Sequence, residues 1–147
     1  MEIRRALPAD AEPVAALLTR FFAEEGFAAS AAEIRERADV FLAEAANAAF
    51  LAFEDGTTAG VATVTTGFGF EAGRQAEIED LYVLPDRRRR GVARGLIDAA
   101  LAWCRQRECT DAEVVVTPEG DARHGLGGWY RGLGFAETGR RTLQLRL

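Results

Sequence analysis

The sequence predicts an α/β sandwich in which helices flank a mixed, mostly antiparallel sheet. Three observations predict it: two helical patterns follow a short N-terminal strand, three strand patterns then follow one another across short turns, and a second set of helices alternates with further strands. The 147 residues fit one domain, 1–147. A content of 48% hydrophobic and 28% charged residues is ordinary for a globular chain.

The N-terminal part predicts a strand and two helices. Residues 2–6 form the strand pattern. Pro8 and Asp10 then open a helix that ends at Gly26 and repeats apolar residues at helical spacing: Val14, Leu17, Leu18, Phe21 and Phe22. Ser30 and Glu33 have the spacing of a capping box and predict the start of the second helix.

The middle of the chain predicts a three-stranded meander. Strand patterns cover residues 48–53, 60–70 and 77–84, with turns at 54–56 and near Gly73. Pro85 ends the last of these strands.

The C-terminal part alternates helices and strands. An amphipathic helix is predicted over residues 91–107 and a short one over 126–132. The almost continuously apolar residues 112–116 predict a strand buried on both faces. The alternating residues 135–147 predict a closing strand or hairpin.

Charge and composition exclude several classes of function. The net charge of −5 argues against a nucleic-acid partner and is compatible with a cationic one. Two cysteines and one histidine offer no metal-ligand pattern, so we expect no metal. No stretch has the apolar length of a membrane span or a signal peptide, and we expect a cytoplasmic protein with no membrane partner.

A basic loop precedes the central helix. Four arginines at 87–90 lie between Pro85 and Gly91, so positive charge meets a helix N-terminus, where unpaired N–H groups favour a phosphate. An arginine run can equally be a solvated surface or a nucleic-acid patch. The loop matches neither the P-loop nor the dinucleotide fingerprint.

Two motifs carry a family resemblance over essentially the whole chain. Arg88-x-x-Gly91-x-Ala93, with Leu81-Tyr82-Val83-x-Pro85 upstream, resembles the [QR]-x-x-G-x-[GA] signature of the GNAT superfamily of N-acetyltransferases. The segment 129–135 resembles that superfamily's later F-Y-x-x-x-G-F motif. This chain departs from the pattern at Arg123, where Asn is usual, and at Leu126, where Ala is frequent, which puts local cofactor contacts of that loop in question.

The resemblance implies acetyl-CoA as co-substrate and a V-shaped splay between the central strands, where the pantetheine arm lies. Backbone groups of the strand end would pair with that arm, and the basic loop would bind the pyrophosphate. The residues implied in cofactor binding are Leu81, Tyr82, Val83, Arg88, Arg89, Arg90, Gly91, Val92, Ala93 and Arg94.

Transfer to an amine needs a proton acceptor and a proton donor for the leaving thiolate. Strand alternation predicts that Glu77 and Glu79 share one face while Asp80 lies on the other, unless a bulge intervenes. Glu79 is the first candidate base and Glu77 the second; the alternative is that both are exposed strand carboxylates or attract the substrate. Tyr130, at the family's tyrosine position, is the candidate acid, or alternatively a packing aromatic. We expect the Leu81 N–H to stabilise the oxyanion and the acetyl group to transfer directly in a ternary complex.

Carboxylates mixed with aromatics in the segments that build the family's acceptor site suit a small cationic amine. The candidate acceptor-binding residues are Phe22, Glu25, Asp80 and Asp121. The stretch 79–83 and the short chain look similar to bacterial aminoglycoside and polyamine acetyltransferases, so an aminoglycoside is the first expectation and antibiotic resistance the implied role. Polyamine, amino-acid or peptide amines remain alternatives, as does a non-catalytic acetyl-CoA-binding module. The resemblance also implies a possible homodimer, although no oligomer motif is present.

Overall fold

The computed structural model describes residues 1–147, which divide into two compact units, Met1–Val114 and Val115–Leu147. The first unit holds a five-stranded sheet in the order β1-β2-β3-β4-β5. Its strands are β1 Glu2–Arg5, β2 Asn47–Glu54, β3 Thr57–Gly69, β4 Gly73–Val83 and β5 Asp111–Val114. Neighbours from β1 to β4 are antiparallel, and β5 runs parallel to β4.

Helices α1 Ala11–Glu25 and α2 Ala31–Ala43 pack on one face of this sheet. The α1 stripe buries Val14 and Leu17 against β2 and β3, and Gly26, in the left-handed region at φ 75°, ends the helix. The capping box of α2 is formed as predicted: the Glu33 N–H donates to Ser30 Oγ at 3.1 Å, and the Ser30 N–H donates to Glu33 Oε2 at 2.7 Å.

Helix α3 Val92–Gln106 covers the opposite face. Leu96, Ile97 and Ala100 are fully buried on its inner side. A Cβ at Gly60 of β3 would lie 3.1 Å from Leu96 Cδ1 and 2.7 Å from the Tyr82 carbonyl oxygen, so glycine lets α3 approach the sheet closely.

The sheet splays at β4. Pairing with β3 continues to Val83, whereas pairing with β5 stops at Ile78. The second half of β4 therefore has no neighbouring strand on the β5 side, where the Val83 carbonyl oxygen instead accepts from Arg88 Nε at 2.9 Å. This confirms the splay that the family resemblance implied.

Strand β5 differs from its prediction. Residues 112–116 were expected to be buried on both faces, but β5 alternates exposed and half-buried residues, and Val115 beyond it is 70% exposed. The strand pairs only with β4, so it is an edge strand, and apolar residues on such a strand need not be enclosed.

The second unit contains α4 Pro118–His124 and α5 Leu126–Gly132. The sequence analysis did not predict α4. The Thr117 hydroxyl caps this helix by accepting the Gly120 N–H at 3.0 Å. The predicted closing strand at 135–147 is wrong: these residues form no regular element, and Leu143, Leu145 and Leu147 are more than 80% exposed. Alternation alone does not make a strand, because a strand also needs a partner for its backbone. No helix of the structure combines the length and apolarity that crossing a membrane requires.

Candidate functional site

A β-bulge at Glu79 changes the faces of β4. Thr63 pairs with Asp80 and Val64 pairs with Ile78, so Glu79 is the extra residue. Directly paired residues share a face, which places Asp80 on the Thr63 side and Ile78 on the Val64 side. Glu77 pairs with Thr65, so Asp80 lies on the same face as Glu77. The face opposite Glu77 that strict alternation predicted for Asp80 is therefore wrong, because the bulge, named beforehand as the exception, reverses the alternation.

The bulge brings acidic side chains together. Thr65 Oγ1 donates to Glu79 Oε1 at 2.6 Å, and Thr65 pairs with Glu77, which in turn pairs with Glu113 of β5. Thr63 Oγ1 donates to Asp80 Oδ2 at 2.6 Å. We call Glu77, Glu79, Asp80 and Glu113 the acidic patch.

Burial and neighbouring negative charge raise the pKa values of Asp80 and Glu77 in this patch. Burial first, and then the charge of Glu79, raise the pKa of Asp80, against the lowering effect of the Thr63 hydrogen bond. Burial, followed by repulsion from Glu79 and Glu113, raises the pKa of Glu77. A raised pKa makes a carboxylate a stronger proton acceptor, and the combined negative charge of the patch attracts a cation.

The loop from Leu84 to Gly91, here called the cofactor loop, leads directly into α3. Gly91 is the N-cap at φ 83° and offers no side chain, and the first turn of α3 contains no acidic residue. The N–H groups of Val92, Ala93 and Arg94 therefore point from the helix start without partners in the helix. Together with the open edge at Leu81–Val83, this geometry fits a phosphate joined to an extended arm.

The arginines of this loop are mostly engaged with the protein itself. Arg87 lies 3.2 Å from Glu54 Oε2, Arg90 lies 3.7 Å from the same oxygen, and Arg88 lies 2.6 Å from Glu24 Oε1. Arg89 is exposed in the left-handed region at φ 62°. Anion binding here thus depends on backbone N–H groups, with Arg89 as the available guanidinium, and Arg94 on α3 is paired with Asp98 at 3.0 Å.

Several site residues were missed by the sequence analysis. Thr63 and Thr65 hold two of the patch carboxylates, and Glu113 of β5 pairs with Glu77. Glu24 belongs to the carboxylates of α1 considered for the acceptor, but its contact with Arg88 was not foreseen. Knowing which residues of β3 pair with which residues of β4 would have identified Thr63 and Thr65 as partners of the carboxylates. That register depends on the bulge, which the sequence does not locate. Glu24 lies 64 positions from Arg88, and no local signal connects them.

The other three candidate acceptor-binding residues, Phe22, Glu25 and Asp121, are not part of the acidic patch. Phe22 is half-buried, with its ring 5.8 Å from Phe21 and 5.3 Å from Phe27 in edge-to-face contacts. Glu25 is partly exposed at the end of α1. In the second unit, Asp121 Oδ1 accepts the Gly127 N–H at 2.7 Å and so helps to hold the start of α5.

Tyr130 is buried in the second unit between Trp129 and Phe135, at ring distances of 4.9 and 5.3 Å. Burial raises the pKa of Tyr130 to about 12, so its hydroxyl keeps its proton at neutral pH. No group of His, Cys, Asp and Glu side chains is arranged to hold a metal ion.

Comparisons with known proteins identify the family of this chain. The model of the acetyltransferase (GNAT) family matches residues 12–135. An aminoglycoside N(6')-acetyltransferase type 1 of Salmonella typhimurium (strain LT2) is 31% identical over 97 residues, spanning 63% of this chain and 65% of that relative, which is just under two thirds of its length. One from Acinetobacter baumannii is 32% identical over 72 residues, 49% of this chain and 47% of the relative.

Solved structures share the fold. The aminoglycoside N-acetyltransferase AAC(6')-Iy in complex with CoA has a TM-score of 0.83 at 23% identity, covering 99% of this chain and 93% of that one. An integron cassette protein from the metagenome of Cole Harbour Salt Marsh has a TM-score of 0.86 at 23% identity, covering 99% and 90%. With the family model spanning most of the chain, the protein belongs to the acetyltransferase (GNAT) family.

Proposed function

We propose that this protein transfers the acetyl group of acetyl-CoA to a primary amine of an aminoglycoside. The observation that carries the proposal is the open edge of β4, which lies between an uncapped helix start and the acidic patch. An extended thioester arm on that edge would present its carbonyl beside carboxylates that attract an ammonium group. The names of the curated relatives support the aminoglycoside class and the 6' position.

Acetyl-CoA fits the residues on one side of this arrangement. The N–H groups at the start of α3 and the backbone of Arg89–Gly91 would hold the pyrophosphate, and Leu81–Val83 would pair with the pantetheine arm. Arg88 and Arg90 contribute through their backbone, since their guanidinium groups already lie near carboxylates. When bound, acetyl-CoA supplies the activated acyl group.

The proposed chemistry is direct transfer in a ternary complex. Glu79, with Glu77 as second candidate, takes the proton from the substrate ammonium, and the freed amine attacks the thioester carbon. The Leu81 N–H stabilises the oxyanion while the C–N bond forms. The C–S bond then breaks, and Tyr130 gives its proton to the departing thiolate.

The acidic patch favours a polycation over a neutral amine. Glu77, Glu79, Asp80 and Glu113 place several carboxylates on one face, and Phe22 and Glu25 at the end of α1 are the proposed apolar and charged contacts. Asp121 is proposed as a further contact. A spermidine-like polyamine shares the same charge chemistry and is the competing acceptor.

The proposed setting is a cytoplasmic enzyme, with a homodimer as the possible assembly and antibiotic resistance as the role. Nucleic acid is disfavoured because three of the four loop arginines lie within 4.0 Å of the protein's own carboxylates.

The substrate position is tested with a matched pair of antibiotics. Neomycin and paromomycin differ in carrying an amine or a hydroxyl at the 6' carbon. We expect acetyl-CoA-dependent acetylation of neomycin, located at N6' by mass spectrometry, and at least a 100-fold lower rate with paromomycin. Equal rates with both would contradict the 6' position, and transfer to spermidine alone would contradict the aminoglycoside class.

A further inference from the structure

One carboxylate on α1 connects three parts of the first unit. Glu24 Oε1 accepts from Arg88 Nη2 at 2.6 Å, and Glu24 Oε2 accepts from the Tyr82 hydroxyl at 3.0 Å. Arg88 belongs to the cofactor loop and Tyr82 to the open half of β4. Glu24 therefore joins α1 to β4 and to the loop that follows β4, 58 to 64 positions later in the sequence.

Arg88 is held in a single geometry by these contacts. Its Nε donates to the Val83 carbonyl oxygen at 2.9 Å, while its other end bonds Glu24. The guanidinium carbon lies 5.7 Å from the centre of the Tyr82 ring, within reach of a cation–π interaction. The fork of arginine donors makes this arrangement directional, which a lysine would not reproduce.

The surroundings favour a strong pair. The Glu24 side chain is 25% exposed and that of Arg88 is 36% exposed, so both charges are partly shielded from water. Tyr82 is 4% exposed and packs against Phe21 of α1 at a ring distance of 5.5 Å. A charge-assisted hydrogen bond in such a place is stronger than an exposed ion pair.

We propose that Glu24 is a positioning residue for the cofactor: it fixes Arg88, and through Arg88 the conformation in which the cofactor loop presents its backbone N–H groups. The inference rests on the proposed function. In this proposal Arg88 holds the cofactor loop in its conformation and does not contact the phosphate through its guanidinium group, since Glu24 already neutralises the charge of Arg88.

The test is the affinity for coenzyme A, measured by titration calorimetry without an acceptor. Glu24→Gln keeps the size of the side chain and removes its charge, and should weaken binding about tenfold. Arg88→Gln and Arg88→Lys should weaken it to a similar degree. The double variant Glu24→Gln/Arg88→Gln loses the same contact that each single variant already loses. It should therefore bind coenzyme A no more weakly than the single variant with the lower affinity. Glu12→Gln, an exposed glutamate on α1, is the control and should bind as the wild type does.

A second readout separates positioning from general destabilisation. Amide hydrogen exchange should be faster in Glu24→Gln at Arg87 and Gly95, whose N–H groups donate to the carbonyl oxygens of Leu84 and Gly91 at 2.8 and 2.9 Å, whereas exchange in the β2 and β3 core should stay slow. If Glu24→Gln leaves coenzyme A affinity unchanged, or if the two single effects add in the double variant, the inference is overturned alone. If the wild type does not bind coenzyme A, the proposed function is overturned and the inference with it.

Discussion

At the scale of single residues, Asp80 combines a structural cost with the acceptor-binding role that we propose. Its carboxylate is partly buried, bonded to the Thr63 hydroxyl and close to the charge of Glu79. Burial raises its pKa, so the charged form is less stable in the folded chain than in the unfolded one. Such a charge is retained at a cost when it serves a ligand.

We therefore expect opposite effects of Asp80→Asn on stability and on activity. At pH 7 the variant should unfold at a higher temperature than the wild type, since asparagine still accepts from Thr63 and carries no charge. The advantage should shrink as the pH falls through the raised pKa of Asp80 towards the ordinary value of 3.8, because the wild-type carboxyl then becomes neutral too. The KM for the aminoglycoside should rise about tenfold, as for the loss of one charge-assisted hydrogen bond.

Thermal unfolding from pH 3.5 to 8 and steady-state kinetics provide these readouts. Asp98→Asn, which changes an exposed aspartate on α3, is the matched control and should leave the KM of the acceptor unaltered. An Asp80→Asn protein that is less stable at pH 7 than at acid pH, relative to the wild type, would refute the buried-charge argument.

Glu77, Glu79 and Asp80 were identifiable from the sequence at this scale, but Glu113 and the faces of these residues were not. Strand periodicity separated Asp80 from Glu77 and Glu79, and the bulge at Glu79 brought all three to one side. A bulge depends on the register between two strands, which local alternation does not encode.

At the scale of elements, the junction of the cofactor loop with α3 carries the cofactor argument. Gly91 occupies φ 83° and ψ 0°, a left-handed conformation that costs a side-chain-bearing residue about 1–2 kcal/mol. A Cβ at this position would have no heavy atom within 4 Å, so added bulk meets no protein atom. Substitution there acts on the backbone and on whatever binds beside it.

Gly91→Glu is expected to abolish coenzyme A binding, with at least a 100-fold loss of affinity, because it places bulk and negative charge where the pyrophosphate is proposed to lie. Gly91→Gln carries the same backbone cost without the charge and should lose less affinity. Binding calorimetry on both folded variants separates the two causes. Equal affinities for Gly91→Glu and Gly91→Gln would remove the charge argument, and wild-type affinity in either would place the pyrophosphate elsewhere.

Elements with strong local signals were predicted well. Helices α1, α2 and α3 and the meander β2–β4 follow from periodicity, the capping box and turn residues. Helix α4 was missed because it is short and its seven residues lack an apolar period, although Thr117 before Pro118 was an available cap signal. The prediction of a C-terminal strand or hairpin was wrong because alternation indicates only which residues would share a face. It does not provide a neighbouring strand for the backbone hydrogen bonds.

At the scale of the whole molecule, the distribution of charge favours the cationic acceptor that we propose. The chain carries a net charge of −5, and its acidic patch concentrates carboxylates beside the open edge of β4. A field of this sign raises the local concentration of a polycation and weakens with added salt. The loop arginines do not oppose this attraction strongly, because three of them lie beside carboxylates.

The central claim is acetyl transfer from acetyl-CoA to an aminoglycoside, and coenzyme A release across a panel of amines tests it most directly. The panel contains aminoglycosides, spermidine, amino acids and a lysine peptide, each with acetyl-CoA and purified protein. The account predicts release with the aminoglycosides at least tenfold faster than with any other class, and product masses increased by one acetyl group. Release with another class alone, or no release from a chain that binds coenzyme A, would contradict it.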